Sequence, residues 1–235
     1  MALLILLAIL TVCAALPQDM SDKMFTLPQE SNTAYARLTT SRQSLGEVTV
    51  CLRTFSDLAR DFSLFSLATP TIYNDFLIYR SAENNGIEMW VRNERMAFRG
   101  LDLKPNTWHS VCSTWDSVSG LVQVWLDGKP SVRKYISSGS SISGPIIIIL
   151  GQDQDSHGGG FVTSESFVGM MSDVHMWDYT ISPCEIRHYT DKLSFTPGNV
   201  LDWGALSFQT NGRVVIEDKQ RDCFQASTAN LSVNH

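Results

Sequence analysis

Basic residues are scarce in this chain and are not gathered into clusters. Among its 235 residues, 18 Lys and Arg face 24 Asp and Glu, which gives a formal net charge of -6. Proteins that bind nucleic acids neutralise phosphates with grouped Lys and Arg side chains. The sequence therefore predicts no nucleic-acid interface, whereas its acidic balance suits cation binding and solubility.

Motifs of the common hydrolase and metalloprotease sites are also missing. The chain contains no Gly-x-Ser-x-Gly elbow and no His-Glu-x-x-His pair. Its histidines show no zinc-binding spacing; they are His109, His157, His175, His188 and His235. There is no internal repeat or low-complexity tract, and the length suits one domain. We therefore expect a binding protein and not an enzyme.

Long apolar runs are confined to the first residues. The segment from Ala2 to Leu16 is too short for a membrane span of about 20 residues. It ends in small residues, so we predict a signal peptide over residues 1–15, cleaved after Ala14 or Ala15, although a basic n-region is missing. No later segment could span a bilayer, which indicates a secreted, extracellular protein with a domain over residues 16–222 and a tail over residues 223–235.

Cysteine is infrequent, but its number is informative. Removal of Cys13 with the signal peptide leaves four cysteines, which allow two disulfides in three connectivities. Cys51 and Cys112 both lie in strand-like segments, so a bond between them would join two strands. The remaining pair would be Cys184 and Cys223. Asn230 begins an Asn-Leu-Ser glycosylation pattern in the predicted tail.

Short strand patterns separated by turns fill most of the chain. Alternating or wholly apolar segments predict strands at Phe62–Leu67, Phe76–Tyr79, Ile87–Val91, Trp108–Trp115, Leu121–Leu126 and Ile146–Leu150. Asp127-Gly128 and Asn211-Gly212 are tight-turn dipeptides. Ser182, Pro183 and Glu185 predict a capping box and a short helix through about Tyr189. The pattern favours an all-β antiparallel sandwich with one helix.

The loop after the last of these strands is rich in oxygen ligands. Asp153, Asp155 and the side-chain amide oxygen of Gln154 could converge on a calcium ion, with a glycine run that allows the backbone to turn. The EF-hand spacing fails, because His157 and Ser164 occupy positions where that loop places ligands. A solvated acidic turn, a carboxylate pair of a jelly-roll glycosidase and an adhesion module without calcium remain open alternatives.

Several ordered motifs resemble the pentraxin family over the whole mature chain. They are MSDKMFTLPQES (20–31), the Cys-x-Ser/Thr-Trp segment (112–115), VWLDGKPSVRK (124–134), ILGQDQDSHGGGF (149–161) and DVHMWDYTISPCEI (173–186). The resemblance implies a flattened β jelly roll that assembles into homo-oligomeric rings, usually pentamers. It also implies a secreted, calcium-dependent, lectin-like recognition protein of acute-phase innate immunity, with phosphocholine, phosphoethanolamine or polysaccharide ligands and complement components as partners.

One family motif is shifted in this chain. The family pattern has His two places before the cysteine of the Cys-x-Ser/Thr-Trp segment, whereas here Ser110 stands two places before Cys112 and His109 precedes it. We interpret His109 as a packed strand residue that leaves the fold unchanged.

The resemblance also assigns calcium ligands, some of which are altered. Asn74, Gln154 and Asp155 match the family, Asp153 replaces a Glu and Glu165 replaces a Gln. By this assignment Gln154 binds through its backbone carbonyl. Tyr73 and Val162 stand where the family has acidic ligands, and Asp75 is a candidate replacement. Because calcium affinity follows the number and charge of oxygen ligands, we predict one competent calcium site and a second, weak site.

The ligand pocket departs further from the family. Where one branch of pentraxins holds choline with a Phe, a Thr and a Glu, this chain has Tyr79, Trp90 and Arg95. Trp90 could pack against an ammonium group, whereas Arg95 would repel it. Arg95 therefore predicts a preference for phosphate-bearing or acidic glycan ligands over choline. The open alternative is that Trp90 is a core residue and Arg95 an exposed strand residue, with no role in binding.

Overall fold

The computed structural model describes residues 16–220. The predicted signal peptide and the predicted tail, with Cys223 and Asn230, lie outside the described residues. No helix within residues 16–220 is long and apolar enough to cross a bilayer.

Seventeen strands and one α-helix make up the described chain. In chain order the strands are β1 (Lys23–Leu27), β2 (Tyr35–Leu38), β3 (Ser44–Leu45), β4 (Glu47–Phe55), β5 (Phe62–Thr69), β6 (Ile72–Ser81), β7 (Gly86–Val91), β8 (Glu94–Arg99), β9 (His109–Asp116), β10 (Leu121–Leu126), β11 (Lys129–Pro130), β12 (Lys134–Tyr135), β13 (Ile142–Ser143), β14 (Ile147–Leu150), β15 (Gly169–Trp177), β16 (Phe208–Asn211) and β17 (Val215–Asp218). The helix α1 is Pro183–Thr190, and two single 3-10 turns are Thr163–Glu165 and Trp203–Ala205.

Two antiparallel sheets form a β-sandwich, which confirms the predicted fold class. The eight-stranded sheet has the order β11-β10-β9-β4-β15-β1-β17, with β12 also paired to β10. The seven-stranded sheet has the order β16-β2-β14-β5-β6-β7-β8. Strands β3 and β13 form a separate pair. Neighbours in the sheets are often distant in the chain, which is typical of jelly-roll folds.

The main core lies between the two sheets. Side chains of a strand point alternately to opposite faces, and β4 follows this rule: Val48, Val50 and Leu52 enter the main core, whereas Cys51 faces the other side. That other face carries a smaller apolar cluster under α1, which includes Trp125 and is completed by Cys112, Trp177, Ile181, Ile186 and Tyr189.

Cys51 and Cys112 are directly paired across β4 and β9 and form a disulfide. This confirms one predicted bond. Cys184 is exposed on α1 and makes no disulfide within residues 16–220. The predicted Cys184–Cys223 bond therefore stays a prediction.

The start of α1 agrees with the sequence, although the capping box is only half formed. The Oγ of Ser182 accepts a hydrogen bond from the backbone N–H of Glu185 at 3.2 Å, and Pro183 is the first helical residue. The Glu185 carboxylate, however, accepts from the backbone N–H of Thr196 at 3.1 Å. The prediction of a reciprocal box was wrong, because the segment after the helix folds back and supplies a different donor.

The two predicted tight turns have different roles. Asp127 and Gly128 have positive φ values of 51° and 74° and join the paired strands β10 and β11, as an Asp-Gly hairpin turn does. Asn211 and Gly212 instead lie between β16 and β17, which belong to different sheets. That turn carries the chain across the sandwich.

His109 is a packed strand residue, as predicted. Its Nδ1 lies 2.8 Å from Oδ2 of Asp127 and its Nε2 lies 3.1 Å from the backbone oxygen of Lys104. Nδ1 thus holds the turn between β10 and β11, and Nε2 holds the segment before β9.

Candidate metal and ligand site

The predicted calcium loop follows β14 and is closed by its own backbone. Ser156 and Gly159 exchange two backbone hydrogen bonds of 3.2 and 3.0 Å. Gly160 has a φ of 79°, in the left-handed region that favours glycine. A Cβ on Gly160 would lie 2.7 Å from the Cβ of Asp155. The glycine therefore allows the chain to fold back closely on the acidic residues.

Two buried oxygen atoms of the candidate site have no hydrogen-bond donor. Asn74 of β6 is 5% exposed, and Asp153, after β14, is 7% exposed. Oδ1 of Asn74 and Oδ1 of Asp153 are enclosed without a partner among the described residues. An unpaired buried polar group costs about 1–3 kcal/mol. A calcium ion binds carboxylate and amide oxygens, so these two atoms fit the metal that the loop predicts.

Three carboxylates interact electrostatically around this position. Burial, with the nearby charges of Glu165 and Asp155, raises the pKa of Asp153 to about 7. Burial and the charges of Asp155 and Asp61 also raise the pKa of Glu165, although a hydrogen bond from the Tyr79 hydroxyl opposes this change. Burial and the nearby negative charges both favour the protonated forms of Asp153 and Glu165, so a bound cation would favour their ionised forms.

Acidic side chains alone do not make up a metal site in this structure. Within residues 16–220, no three His, Cys, Asp or Glu side chains are already grouped as a metal site requires. Asp155 is exposed, whereas Asp153 and Asn74 are buried in the fold. The backbone N–H of Asn74 donates to Oδ1 of Asn93 at 3.0 Å, which ties Asn74 to the turn between β7 and β8.

Both polar atoms of the Gln154 side chain are hydrogen-bonded within the protein. Its Nε2 donates to the backbone oxygens of Ser66 and Ile147 at 2.9 and 3.2 Å, and its Oε1 accepts from the backbone N–H of Gly158 at 2.9 Å. The expectation from the loop pattern, that the amide oxygen binds calcium, therefore has no free atom to support it. The backbone carbonyl assigned by the family resemblance accepts no hydrogen bond from the described residues and is available.

Asp75 already has partners within the fold. Its carboxylate is wholly buried, accepts from the Thr69 hydroxyl at 2.7 Å and pairs with the Arg92 guanidinium at 3.2 Å. The hypothesis that Asp75 replaces a missing ligand stays a prediction, and calcium would have to compete with these two partners. Tyr73 and Val162, which stand at family ligand positions, are both exposed.

Arg60 holds the 3-10 turn that carries Glu165. One terminal nitrogen of Arg60 donates to the backbone oxygens of Ser166 and Ser164 at 2.7 and 3.1 Å, and Nε donates to Glu30 at 3.0 Å. Arg60 has no signal in the sequence, because its role comes from contacts with backbone over a hundred positions away in the chain. No local pattern could have shown it.

The predicted ligand pocket lies on the seven-stranded sheet, next to Glu165. The hydroxyl of Tyr79 donates to Glu165 at 3.3 Å. Trp90 of β7 stands opposite Arg95 of β8 in the strand register, and Tyr79 of β6 stands opposite Glu88. The three pocket residues thus belong to adjacent strands and surround a fourth residue, Glu88.

Glu88 changes the charge expected of this pocket. It is 4% exposed, and its carboxylate pairs with Nε of Arg95 at 3.3 Å. The Arg95 side chain remains about half exposed. The fixed positive charge expected from Arg95 is therefore partly neutralised by an acid on the neighbouring strand. Because side chains alternate along β7, Glu88 and Trp90 lie on one face of the sheet. This alternation could have identified Glu88 as a pocket residue from the sequence.

The arrangement is a β-sandwich in which acidic and amide oxygens lie on β6 and on the segment after β14, at the seven-stranded sheet. The model of the Pentaxin family matches residues 23–218. C-reactive protein of Rattus norvegicus is 41% identical over 201 residues, covering 85% of this chain and 86% of the relative. Serum amyloid P-component of the same species is 38% identical over 206 residues, covering 87% and 89%.

A solved structure agrees in fold. The native heptameric SAP-like pentraxin from Limulus polyphemus matches with a TM-score of 0.78 at 24% identity, covering 85% of this chain and 96% of that chain. This chain belongs to the pentraxin family.

Proposed function

We propose that the protein is a secreted, calcium-dependent recognition protein of innate immunity that binds phosphate-bearing or polysaccharide ligands. The observation that carries this proposal is the pair of enclosed, unpartnered oxygens on Asn74 and Asp153. They adjoin the same sheet as the pocket formed around Tyr79 and Arg95. A bound calcium ion would supply positive charge to hold an anionic group of the ligand.

The ligand set for one ion would combine side chains and backbone. Asn74, Asp153 and Asp155 would contribute side-chain oxygens, Gln154 its backbone carbonyl and Glu165 a carboxylate from the 3-10 turn. Because Val162 cannot coordinate, a second ion would have fewer protein ligands. Calorimetric titration of the mature protein with calcium is expected to give one tight and one weak binding event, and two equally tight events would contradict this assignment.

Retention on ligand resins tests calcium-dependent recognition. The wild type should bind immobilised phosphoethanolamine or a phosphorylated polysaccharide in calcium and elute in EDTA. Asp153→Asn should abolish retention, whereas Asp191→Asn, at an exposed position after α1, should not. Mass spectrometry of the glycan should show no cleavage, which separates recognition from the glycosidase alternative. Retention that persists in EDTA would refute the proposal.

Arg95 sets the proposed ligand preference. Its exposed guanidinium can donate charge-assisted hydrogen bonds to anionic oxygens, while Glu88 holds it in place. Arg95→Glu should shift binding from the phosphorylated or sulfated polysaccharide toward phosphocholine. Arg99→Glu, at the exposed end of the same strand, is the matched control. Tighter phosphocholine binding by the wild type than by Arg95→Glu would contradict the preference.

Self-association into a ring is the second part of the proposal. The opposite edges of the eight-stranded sheet, β11 and β12 at one end and β17 at the other, both carry exposed apolar residues. Val132 and Tyr135 are exposed at the first edge and Val215 and Ile216 at the second. An interface that joins two different edges is heterologous, and such contacts generate rings when the rotation closes. A pentamer is the expected ring.

Size-exclusion chromatography with light scattering tests this assembly in calcium and in EDTA. Tyr135→Lys or Ile216→Lys alone should convert the oligomer to monomers, because each places a charge in the proposed contact. Leu193→Lys, at an exposed apolar position outside both edges, should leave the mass unchanged. A monomeric wild type, or dissociation by the Leu193 variant only, would contradict the ring.

A secreted adhesion module without calcium is the alternative function. The exposed Tyr73 and Val162, at positions where the family has acidic ligands, favour this alternative. Calcium binding to the folded state raises the melting temperature and should protect the loop at residues 152–161 from proteolysis. If calcium has neither effect, the adhesion function replaces the calcium-dependent one.

A further inference from the structure

A groove on the opposite side of the sandwich is not used by the proposed function. It has a volume of about 310 Å³ and lies between β9, β10 and the segment Thr180–Pro183 that leads into α1. We call it the outer groove. It belongs to the outer face of the eight-stranded sheet, whereas the candidate calcium site belongs to the seven-stranded sheet.

The floor of the outer groove contains two hydrogen-bond donors without partners. Thr114 is 7% exposed and Trp125 is 4% exposed. Neither the Thr114 hydroxyl nor the Trp125 indole N–H bonds to any of the described residues, and neither atom is wholly enclosed. Both residues line the groove, so the groove is where these polar groups can be reached. A ligand in the groove could therefore accept hydrogen bonds from both donors.

The walls supply further donors. Nε of Arg133 donates to Oε1 of Gln123 at 3.0 Å, and its terminal nitrogens make no ion pair or hydrogen bond with residues 16–220. The Ser182 hydroxyl oxygen accepts from the backbone N–H of Glu185 at 3.2 Å, which leaves its own hydrogen available. Ser182 caps the N-terminus of α1, where the helix dipole favours negative charge.

The acidic residue in the lining, Asp116, already accepts hydrogen bonds from its own turn. The carboxylate of Asp116 accepts from the backbone N–H groups of Val118 and Ser119 and from the Ser119 hydroxyl, at 2.9, 3.1 and 2.6 Å. Asp116 stands opposite Leu121 in the strand register, whereas Arg133 bonds Gln123, which stands opposite Thr114. An anionic ligand is therefore favoured beside Arg133 and Thr114. Apolar side chains complete the surface, among them Leu121 and Ile181.

We propose that the outer groove binds a short acidic peptide segment, with a carboxylate side chain at Arg133 and Thr114 and an apolar neighbour against Leu121 and Ile181. A carboxylate is an acceptor with several lone pairs, and the groove offers donors from Arg, Thr, Ser and Trp side chains. The volume is at the small end of ligand pockets, which are about 300–1,000 Å³. It therefore accommodates one or two residues of a partner and not a large ligand.

Calorimetry with blocked dipeptides tests the proposal in EDTA, so that the calcium site plays no part. Acetyl-Glu-Leu-amide is expected to bind in about the millimolar range, and acetyl-Gln-Leu-amide at least about tenfold more weakly, because the charge is lost. Arg133→Gln should weaken the Glu peptide about tenfold and Thr114→Val several-fold. Arg37→Gln, which lies on β2 of the other sheet, is the matched control and should not change the affinity.

The following outcomes would overturn the proposal. Equal binding of the two peptides, no binding, or an effect of Arg37→Gln equal to that of Arg133→Gln would remove the case for this site. Binding of glucuronate in preference to the peptides would assign the groove to a glycan instead. Because Arg133 lies close to a proposed subunit edge, light scattering accompanies each titration. Thr114→Val keeps the size of a floor side chain and tests the groove independently of assembly.

Discussion

The clearest energetic consequence of the structure concerns Asp153 in the absence of calcium. Burial, with the charges of Glu165 and Asp155, raises its pKa to about 7, whereas an unfolded Asp titrates near ~3.9. Between these values the folded protein keeps a proton that the unfolded chain releases. The free energy of unfolding should therefore fall as the pH rises, by on the order of 4 kcal/mol once the pH exceeds about 7.

Asp153→Asn removes this penalty and the calcium ligand together. In EDTA at about pH 8, the variant should be more stable than the wild type by up to about 4 kcal/mol, because Asn cannot ionise. At about pH 4 the two proteins should be nearly equal, since Asp153 is then largely protonated in the folded state and in much of the unfolded population. Calcium should stabilise the wild type and not the variant.

Urea unfolding followed by tryptophan fluorescence measures these differences. Subtracting the wild type from the variant at each pH cancels the contributions of other titrating groups, including His109. Asp155→Asn is the comparison variant: Asp155 is exposed and its charge is a smaller cause of the raised pKa of Asp153 than burial. It should therefore stabilise the protein less than Asp153→Asn does in EDTA at about pH 8, but it should still reduce stabilisation by calcium. If Asp153→Asn is less stable than the wild type in EDTA at about pH 8, the reasoning is refuted.

Three other changes probe the scaffold around the site. Replacing Cys51 and Cys112 together by Ala should lower the free energy of unfolding by about 2–4 kcal/mol in urea titrations, since the disulfide joins residues 61 positions apart; no loss would contradict this. Arg60→Gln should weaken calcium binding by calorimetry, because it releases the turn that carries a proposed ligand, and unchanged affinity would assign Arg60 a structural role only. Burial is the largest single influence on the pKa of His109 and lowers it, but the hydrogen bond and charge of Asp127, together with the Lys104 carbonyl and the charge of Asp102, outweigh burial and raise the pKa. The stability from this pair is thus present below about pH 6.5 and lost as the pH rises through the raised pKa, so Asp127→Asn should destabilise more at about pH 5.5 than at about pH 9, and equal losses would contradict the pairing.

Local patterns predicted the elements whose signals are contained in a few residues. Alternation identified Ile87–Val91 and Leu121–Leu126, which the structure has as β7 and β10 with nearly the same bounds. The cap at Ser182 and the proline after it placed the start of α1 correctly. These features depend on backbone geometry and on side-chain alternation within one segment, so neighbouring residues suffice to predict them.

The parts that sequence reasoning missed depend on contacts between distant segments. Asn211-Gly212 was read as a tight turn, but whether it joins strands of one sheet or of two depends on where β16 and β17 pair. The side chain of Gln154 is turned toward Ser66, which is 88 positions away. Glu88 became part of the pocket because β6, β7 and β8 align Tyr79 with Glu88. Charge and ligand availability at a site are set by such pairings.

The candidate calcium site and the edges proposed for assembly belong to different sheets. This separation explains how a weakened calcium site could still bind a surface. The candidate calcium oxygens adjoin the seven-stranded sheet, and the apolar edges proposed for assembly belong to the eight-stranded sheet. A ring built from those edges would leave every calcium site free and would present the sites in a fixed arrangement. Linked sites can exceed the affinity of one site by about 10²–10⁴-fold without any new contact. The loss of acidic ligands at Tyr73 and Val162 would therefore weaken binding of a single soluble ligand far more than binding of a repetitive surface. Ile216→Lys, if it yields monomers, should abolish retention on a densely substituted resin while leaving calorimetric calcium binding unchanged.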